Sequence, residues 1–161
     1  MKFCGIDRHS NNSVIVVSDA EDRTVLQRRL PNELGAILAV LAPHCGDLAG
    51  VVVESTYNWY WLVDGLADAG YRTHLAHVAA IKRYEGLKHS GDAADAAYLA
   101  QLLRLGMLPE GYIYPREQRA ARDLARKRIQ LVRCRTAHIV SMENLLARHT
   151  GARPSCAQIR R

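Results

Sequence analysis

Gly50-Val51-Val52-Val53-Glu54-Ser55-Thr56 is the stretch that decides how this chain is read. Three successive β-branched valines leave no polar face, which is the pattern of a strand covered on both sides inside a sheet. A carboxylate closing such a strand is out of place as packing, so Glu54 draws attention at once. Toward the N-terminus, Phe3-Cys4-Gly5-Ile6-Asp7 is a second short apolar run that also ends in an acid. A Val/Ile-rich run over 13–18 and another strand over 24–30, parted by Asp19-Ala20-Glu21-Asp22, complete an antiparallel meander. After Pro31-Asn32-Glu33, Leu34, Ile37, Leu38 and Leu41 recur at helical spacing, and Pro43 to Gly46 stops that helix.

Downstream of Glu54 the pattern alternates. The spacing of Trp59, Leu62, Val63 and Leu66 predicts a helix over 56–69, capped by Ser55 and Thr56, and stopped by Gly70. A strand over 71–76 and an alanine- and leucine-rich helix over 92–105 follow. The order βββ-α-β-α-β-α predicts an α/β fold, a mixed sheet with helices on its faces. Residues 115–149 then read as one long helix with no internal Gly or Pro. Leu124, Leu131 and Leu145 recur at multiples of seven, so this helix is expected to pair with another, as in a coiled coil. The expected division is 1–114 for the mixed-sheet domain, 115–150 for the long helix and 151–161 for a tail or linker.

Charge separates the same parts. Residues 1–115 carry 10 Lys/Arg against 13 Asp/Glu, whereas residues 116–161 carry 12 against three. A basic arm on an acidic body favours a polyanion as partner, the plainer alternative being a solvated helix face. Arg119, Arg122, Arg126, Lys127, Arg128, Arg133 and Arg135 form the candidate basic stripe, and Lys88 is a further candidate phosphate contact. No run of about 18 apolar residues is present, so no membrane span is expected. Cys4, Cys45, Cys134 and Cys156 are scattered without a CxxC pair, which argues against disulfides or zinc and fits a reducing cytoplasm.

Four acids stand where chemistry is expected. Asp7 and Glu54 end neighbouring strands, and ligands bind at strand ends in such sheets. Asp92 and Asp95 are three residues apart at a helix start, so they share a face near its positive end. Each acid alone has a plainer role: Asp7 in a turn, Asp92 as an N-cap, Asp95 as a first-turn acid. Together, four converging carboxylates persist only if protons or cations neutralise them, and Mg²⁺ takes this type of ligand.

Gly5-Ile6-Asp7, Val51-Val52-Val53-Glu54-Ser55-Thr56, the aromatic run Tyr57-Asn58-Trp59-Tyr60-Trp61 and Lys88-His89-Ser90-Gly91-Asp92-Ala93-Ala94-Asp95-Ala96 together resemble the DEDD insertion-sequence transposases. That group includes the Piv-type DNA invertases and the bridge-RNA-guided recombinases. The resemblance implies an RNase H-like (RuvC-like) fold in which Asp7, Glu54, Asp92 and Asp95 form a catalytic tetrad that binds Mg²⁺, with Mn²⁺ able to substitute. It implies DNA as substrate, in part of the family a guide RNA, assembly as homodimers or higher oligomers through the long helix, and a nucleoid-associated place in a bacterial cytoplasm. Members carry a nucleophilic serine in a further domain. The present chain stops within or just beyond the coiled-coil segment, so it is expected to be a fragment, and none of its serines is assigned that role. Ala93 and Ala94 stand where members often carry a polar or basic residue.

Two other classes compete. A non-catalytic nucleic-acid-binding and dimerisation module would use the basic helix alone, with the acids only capping and solvating. An actin-like sugar kinase also begins with Gly-Ile-Asp, but no Gly-rich phosphate loop follows Asp7 here and 161 residues cannot make two lobes. Among neighbouring residues, Arg8, His9 and Ser10 border the first acid, and His9 reads more readily as an idle loop histidine. His74 and His77 would face opposite sides of a strand, which disfavours a metal pair. Trp59 and Trp61 read as core rather than as base-stacking platforms.

Overall fold

In the computed structural model, residues 1–81 and 91–159 are described. Lys88 lies outside them. Two compact units divide the chain, Met1–Ile113 and Tyr114–Arg161.

The first unit is built on five strands: β1 (Lys2–Arg8), β2 (Asn12–Asp19), β3 (Thr24–Pro31), β4 (Leu48–Glu54) and β5 (Thr73–Ala76). Their order across the sheet is β3-β2-β1-β4-β5. The meander pairs are antiparallel, whereas β1–β4 and β4–β5 are parallel. Helices α1 (Leu34–Leu41) and α2 (Tyr60–Asp68) supply the crossovers and, with α3 (Asp92–Arg104) after the last strand, flank the sheet. This mixed sheet with flanking helices is an RNase H-like α/β fold, and a long helix, α4, follows it at Arg116–Thr150.

Strand alternation sorts the core into two layers. Cys4, Ile6, Ile15, Val17, Val51, Val53 and Leu75 point to one face, where Ile37 and Leu41 of α1 and Leu62, Val63 and Leu66 of α2 cover them. Val52 points the other way, against Leu99 of α3. Val51, Val52 and Val53 are all fully buried, as a strand without a polar face requires. At about 1.5–3 kcal/mol for each fully buried aliphatic side chain, this strand is held firmly from both sides.

The α3 face is packed unusually close because its residues are small. Ala96 meets Val14 and Val16, with Ala93 and Ala97 beside it. Opposite them is Gly5: a Cβ built there would stand 1.9 Å from the Ala96 carbonyl oxygen and 2.9 Å from the Ala100 nitrogen. The helix therefore rests directly on the backbone of β1. Gly91 opens α3 at φ 142°, a conformation that disfavours any side chain.

Two local expectations change. The helix predicted from 56 begins at Tyr60, because Thr56 N–H turns back onto the Glu54 carbonyl at 2.9 Å. Neither Ser55 nor Thr56 caps it; Trp59 occupies the N-cap position and its ring is buried. Asp92 is likewise the first residue inside α3 rather than its cap, which is Gly91.

In the second unit, α4 runs as one uninterrupted helix and closes on Gly151 in the left-handed conformation. A short helix, α5 (Cys156–Ile159), follows within the segment expected to be a tail. Glu143 of α4 takes two hydrogen bonds from the Arg153 guanidinium, at 3.0 and 3.2 Å.

Candidate metal centre

Register and alternation explain how three of the four acids reach one cavity. Ile6 pairs with Val53 in the parallel β1–β4 ladder, so Asp7 and Glu54 come next, side by side, at the ends of adjacent strands. Asp7 shares the side-chain parity of Gly5, and Glu54 that of Val52, so both acids project to the α3 face. Because α3 sits directly on Gly5, its first turn hangs over these strand ends and brings Asp95 to them.

Asp7, Glu54 and Asp95 line one cavity of ≈ 30 Å³ together with Val78, Ile81, Tyr98 and Leu99. That exceeds the roughly 10–15 Å³ one water needs, and apolar walls strengthen any charge interaction inside. Asp7 is 5% exposed, a carboxylate well removed from bulk water. Such a group requires compensation, and carboxylate oxygens drawn from three separate elements are the donor chemistry hard divalent cations take.

Asp92 stands on the other side of Asp7. Its Oδ2 accepts from Arg29 Nη2 at 2.5 Å and lies 3.2 Å from His9 Nε2. The Arg29 guanidinium, ahead of the His9 charge, holds the Asp92 carboxyl below the usual carboxylate range, against a smaller opposing effect of burial. His9 Nε2 is also 3.2 Å from Asp7 Oδ2. Ligating atoms of Asp7, His9 and Asp92 all fall within 4.8 Å of one another. The histidine that reads as idle in the sequence thus joins two of the acids. Its only sequence signal is its position two residues after Asp7.

Behind Asp7, the Arg8 guanidinium is almost completely buried, with Nη2 donating to the Thr56 hydroxyl and Nη1 to the His9 carbonyl at 3.2 Å. It also lies 5.7 Å from the centre of the exposed Tyr57 ring. Burial lowers its pKa, while Tyr57, Glu54 and Asp7 act to raise it. A buried cation beside the cluster ties the β1 end to the β4–α2 loop.

The remaining candidates sort differently. His74 is buried with Nδ1 2.9 Å from Glu110 Oε1, and His77 lies beyond the end of β5. Trp59 and Trp61 pack in or against the main core. In the second unit, Arg119 is buried and donates from Nε to the Tyr114 carbonyl at 2.8 Å, and Arg122 stacks on the Tyr114 ring at 4.6 Å. These two anchor the start of α4. Arg126, Arg128, Arg133 and Arg135 are exposed, as is Lys127, which donates to Gln130 at 3.1 Å. Leu124 and Leu131 share one groove of α4 with Lys127, Arg128 and Arg135.

The profile of the DEDD transposase family of the IS110 insertion-sequence type, described as Transposase, matches residues 4–150. No curated protein matches the chain. Among the described residues, no helix is long and apolar enough to cross a membrane.

Proposed function

From the premise that the chain belongs to the IS110-type DEDD transposase family, and so has a role in DNA transposition or recombination, we propose that Asp7, Glu54, Asp92 and Asp95 form a Mg²⁺-binding tetrad for phosphoryl transfer on DNA. The observation that carries this is the cavity shared by Asp7, Glu54 and Asp95, with Asp92 adjoining through Asp7's other side. Bound there, a divalent cation would supply charge neutralisation for the attacked phosphate and for the attacking and leaving oxygens. Asp7, fixed on a buried strand end, sets the position of the cluster. Glu54 supplies the second strand-end carboxylate, and Asp95 closes the set from α3. Asp92, at the rim, faces the side on which Arg29 is exposed. Val78, Ile81 and Leu99 give the cavity an apolar lining, which lowers the local dielectric around the carboxylates.

The exposed arginines of α4 would hold DNA backbone or a guide RNA, and Leu124, Leu131 and Leu145 would pair copies of the helix. What supports this is the exposure of these side chains along a helix of 35 residues. The test is Mg²⁺-dependent conversion of supercoiled DNA bearing the element's ends. Asp7→Asn and Glu54→Gln are expected to abolish conversion without changing Tm by more than a few degrees. Full conversion by both variants would overturn the proposal.

A further inference from the structure

The four acids leave one neighbouring group without a role, the His9 imidazole. Its Nε2 lies 3.2 Å from a carboxylate oxygen of Asp7 and 3.2 Å from one of Asp92. That nitrogen atom is shut off from solvent although the ring is partly exposed, and it meets hydrogen-bond geometry with neither oxygen among the described residues. A ring N–H committed to one acceptor would align with it. A nitrogen close to two oxygens and aligned with neither instead suits donors converging on a shared point. All three donor atoms lie within 4.8 Å of one another. Bonds of roughly 2.0–2.2 Å set a ceiling of about 4.4 Å across one ion, so small side-chain rotations suffice.

The turn that carries His9 is fixed by its own backbone. His9 N–H donates to the Asn12 carbonyl at 2.8 Å, and the His9 carbonyl accepts from Asn32 Nδ2 at 3.0 Å and from Arg8 Nη1 at 3.2 Å. The imidazole is therefore presented to the acids without any rearrangement of the chain. Arg29 is in turn oriented by Asn12, whose Oδ1 accepts from its Nη1 at 2.9 Å, and its other nitrogen sits on Asp92. Asp92 already has a cationic partner, exposed and able to withdraw into solvent.

We infer that His9 is a nitrogen ligand of a cation held with Asp7 and Asp92, and that Arg29 is the counter-ion Asp92 gives up when this cation binds. The inference rests on the tetrad reading and adds to it a ligand of a different element. One imidazole among oxygens shifts preference away from Mg²⁺ toward divalent first-row transition ions, of which Mn²⁺ is the hardest and the closest stand-in for Mg²⁺.

The test uses Mn²⁺ as probe on the full chain, free of any histidine tag, with pulsed EPR to detect coupling to a ligating ¹⁴N and calorimetry for affinity. The wild-type protein is expected to show directly bound nitrogen that is absent from His9→Ala and His9→Gln. Both variants should bind Mn²⁺ at least about tenfold more weakly, with a smaller change for Mg²⁺. His9 is partly exposed at a turn, and unchanged circular dichroism would show that the variants remain folded. Mn²⁺ bound without nitrogen coupling, or coupling that survives in both variants, overturns the role of His9 and leaves the tetrad standing. A wild-type chain that binds no Mn²⁺ overturns the tetrad reading and the inference with it.

Discussion

Replacing Gly5 with alanine tests the feature that brings the acids together. The new methyl would stand 1.9 Å from the Ala96 carbonyl oxygen, 2.9 Å from the Ala100 nitrogen and 3.0 Å from the Ala96 carbonyl carbon, where ordinary contact begins at 3.4 Å. The obstruction is helix backbone, which has no rotamer to change. Restoring contact requires α3 to withdraw by about 1.5 Å, and a close-packed interior does not absorb that without opening gaps elsewhere. The gaps would fall at Ala96 against Val14 and Val16, and at Leu99 against Val52. Overpacking alone costs typically about 1–3 kcal/mol, and the lost contacts add to it, so a destabilisation of at least about 3 kcal/mol is expected. At roughly 4 °C or more per kcal/mol for a unit of this size, Tm should fall by more than about 12 °C. Asp92 and Asp95 would move with α3, so Mn²⁺ affinity at low temperature should fall as well. Gly35, whose Cβ would meet nothing within 4 Å inside α1, is the control. Gly35→Ala should raise stability by about 0.4–1 kcal/mol. A Gly5→Ala protein that melts within 2 °C of wild type and binds Mn²⁺ equally well, by thermal denaturation and calorimetry, would refute the reasoning.

The Arg29–Asp92 pair makes stability depend on pH in a defined direction. The folded Asp92 pKa is lowered, so its contribution is present above the ordinary carboxylate value of about 3.9 and is lost as pH falls below it. Arg29→Ala should therefore melt earlier than wild type at pH 6, with the gap closing below about pH 4; a gap independent of pH would contradict the pairing. On α4, Arg128→Gln and Arg135→Gln should each reduce the salt slope of DNA binding by about one, measured by anisotropy over 50–200 mM salt, and an unchanged slope would remove α4 from the interface. Leu131→Glu should shift the full chain toward monomer in sedimentation analysis, and an unaltered species would show that this leucine does not pair helices.

What was legible in the sequence depended on period and punctuation. The order of elements along the chain, both faces of Val51–Val53 and the extents of α1 and α3 all follow from residue spacing, which tertiary contacts reinforce rather than override. The start of α2 was not legible. Helical spacing of Trp59 and Leu62 holds from 56 onward, but the turn of Thr56 onto the Glu54 carbonyl delays the helix until Tyr60. The acids were legible as residues that end strands or open a helix. Their neighbours were not. His9 and Arg29 reach Asp92 only because the β1–β2 turn and β3 fold under the first turn of α3, contacts across 83 and 63 residues that no local pattern encodes. Counting charges could not separate Arg119 and Arg122, held at Tyr114, from the exposed arginines beyond them. Gly5 carried no signal of its own either, since a helix lying on a strand backbone is a tertiary event.

Whether the acids act as one metal centre is best measured by calorimetric titration of Mg²⁺ and Mn²⁺ into the wild-type chain and into Asp7→Ala, Glu54→Ala, Asp92→Ala and Asp95→Ala, with Asp64→Ala as an acid of α2 outside the cavity. Wild type and Asp64→Ala should bind alike, while Asp7→Ala and Glu54→Ala lose binding and the two α3 variants weaken it at least about tenfold. Equal binding by wild type, Asp7→Ala and Glu54→Ala would contradict the account.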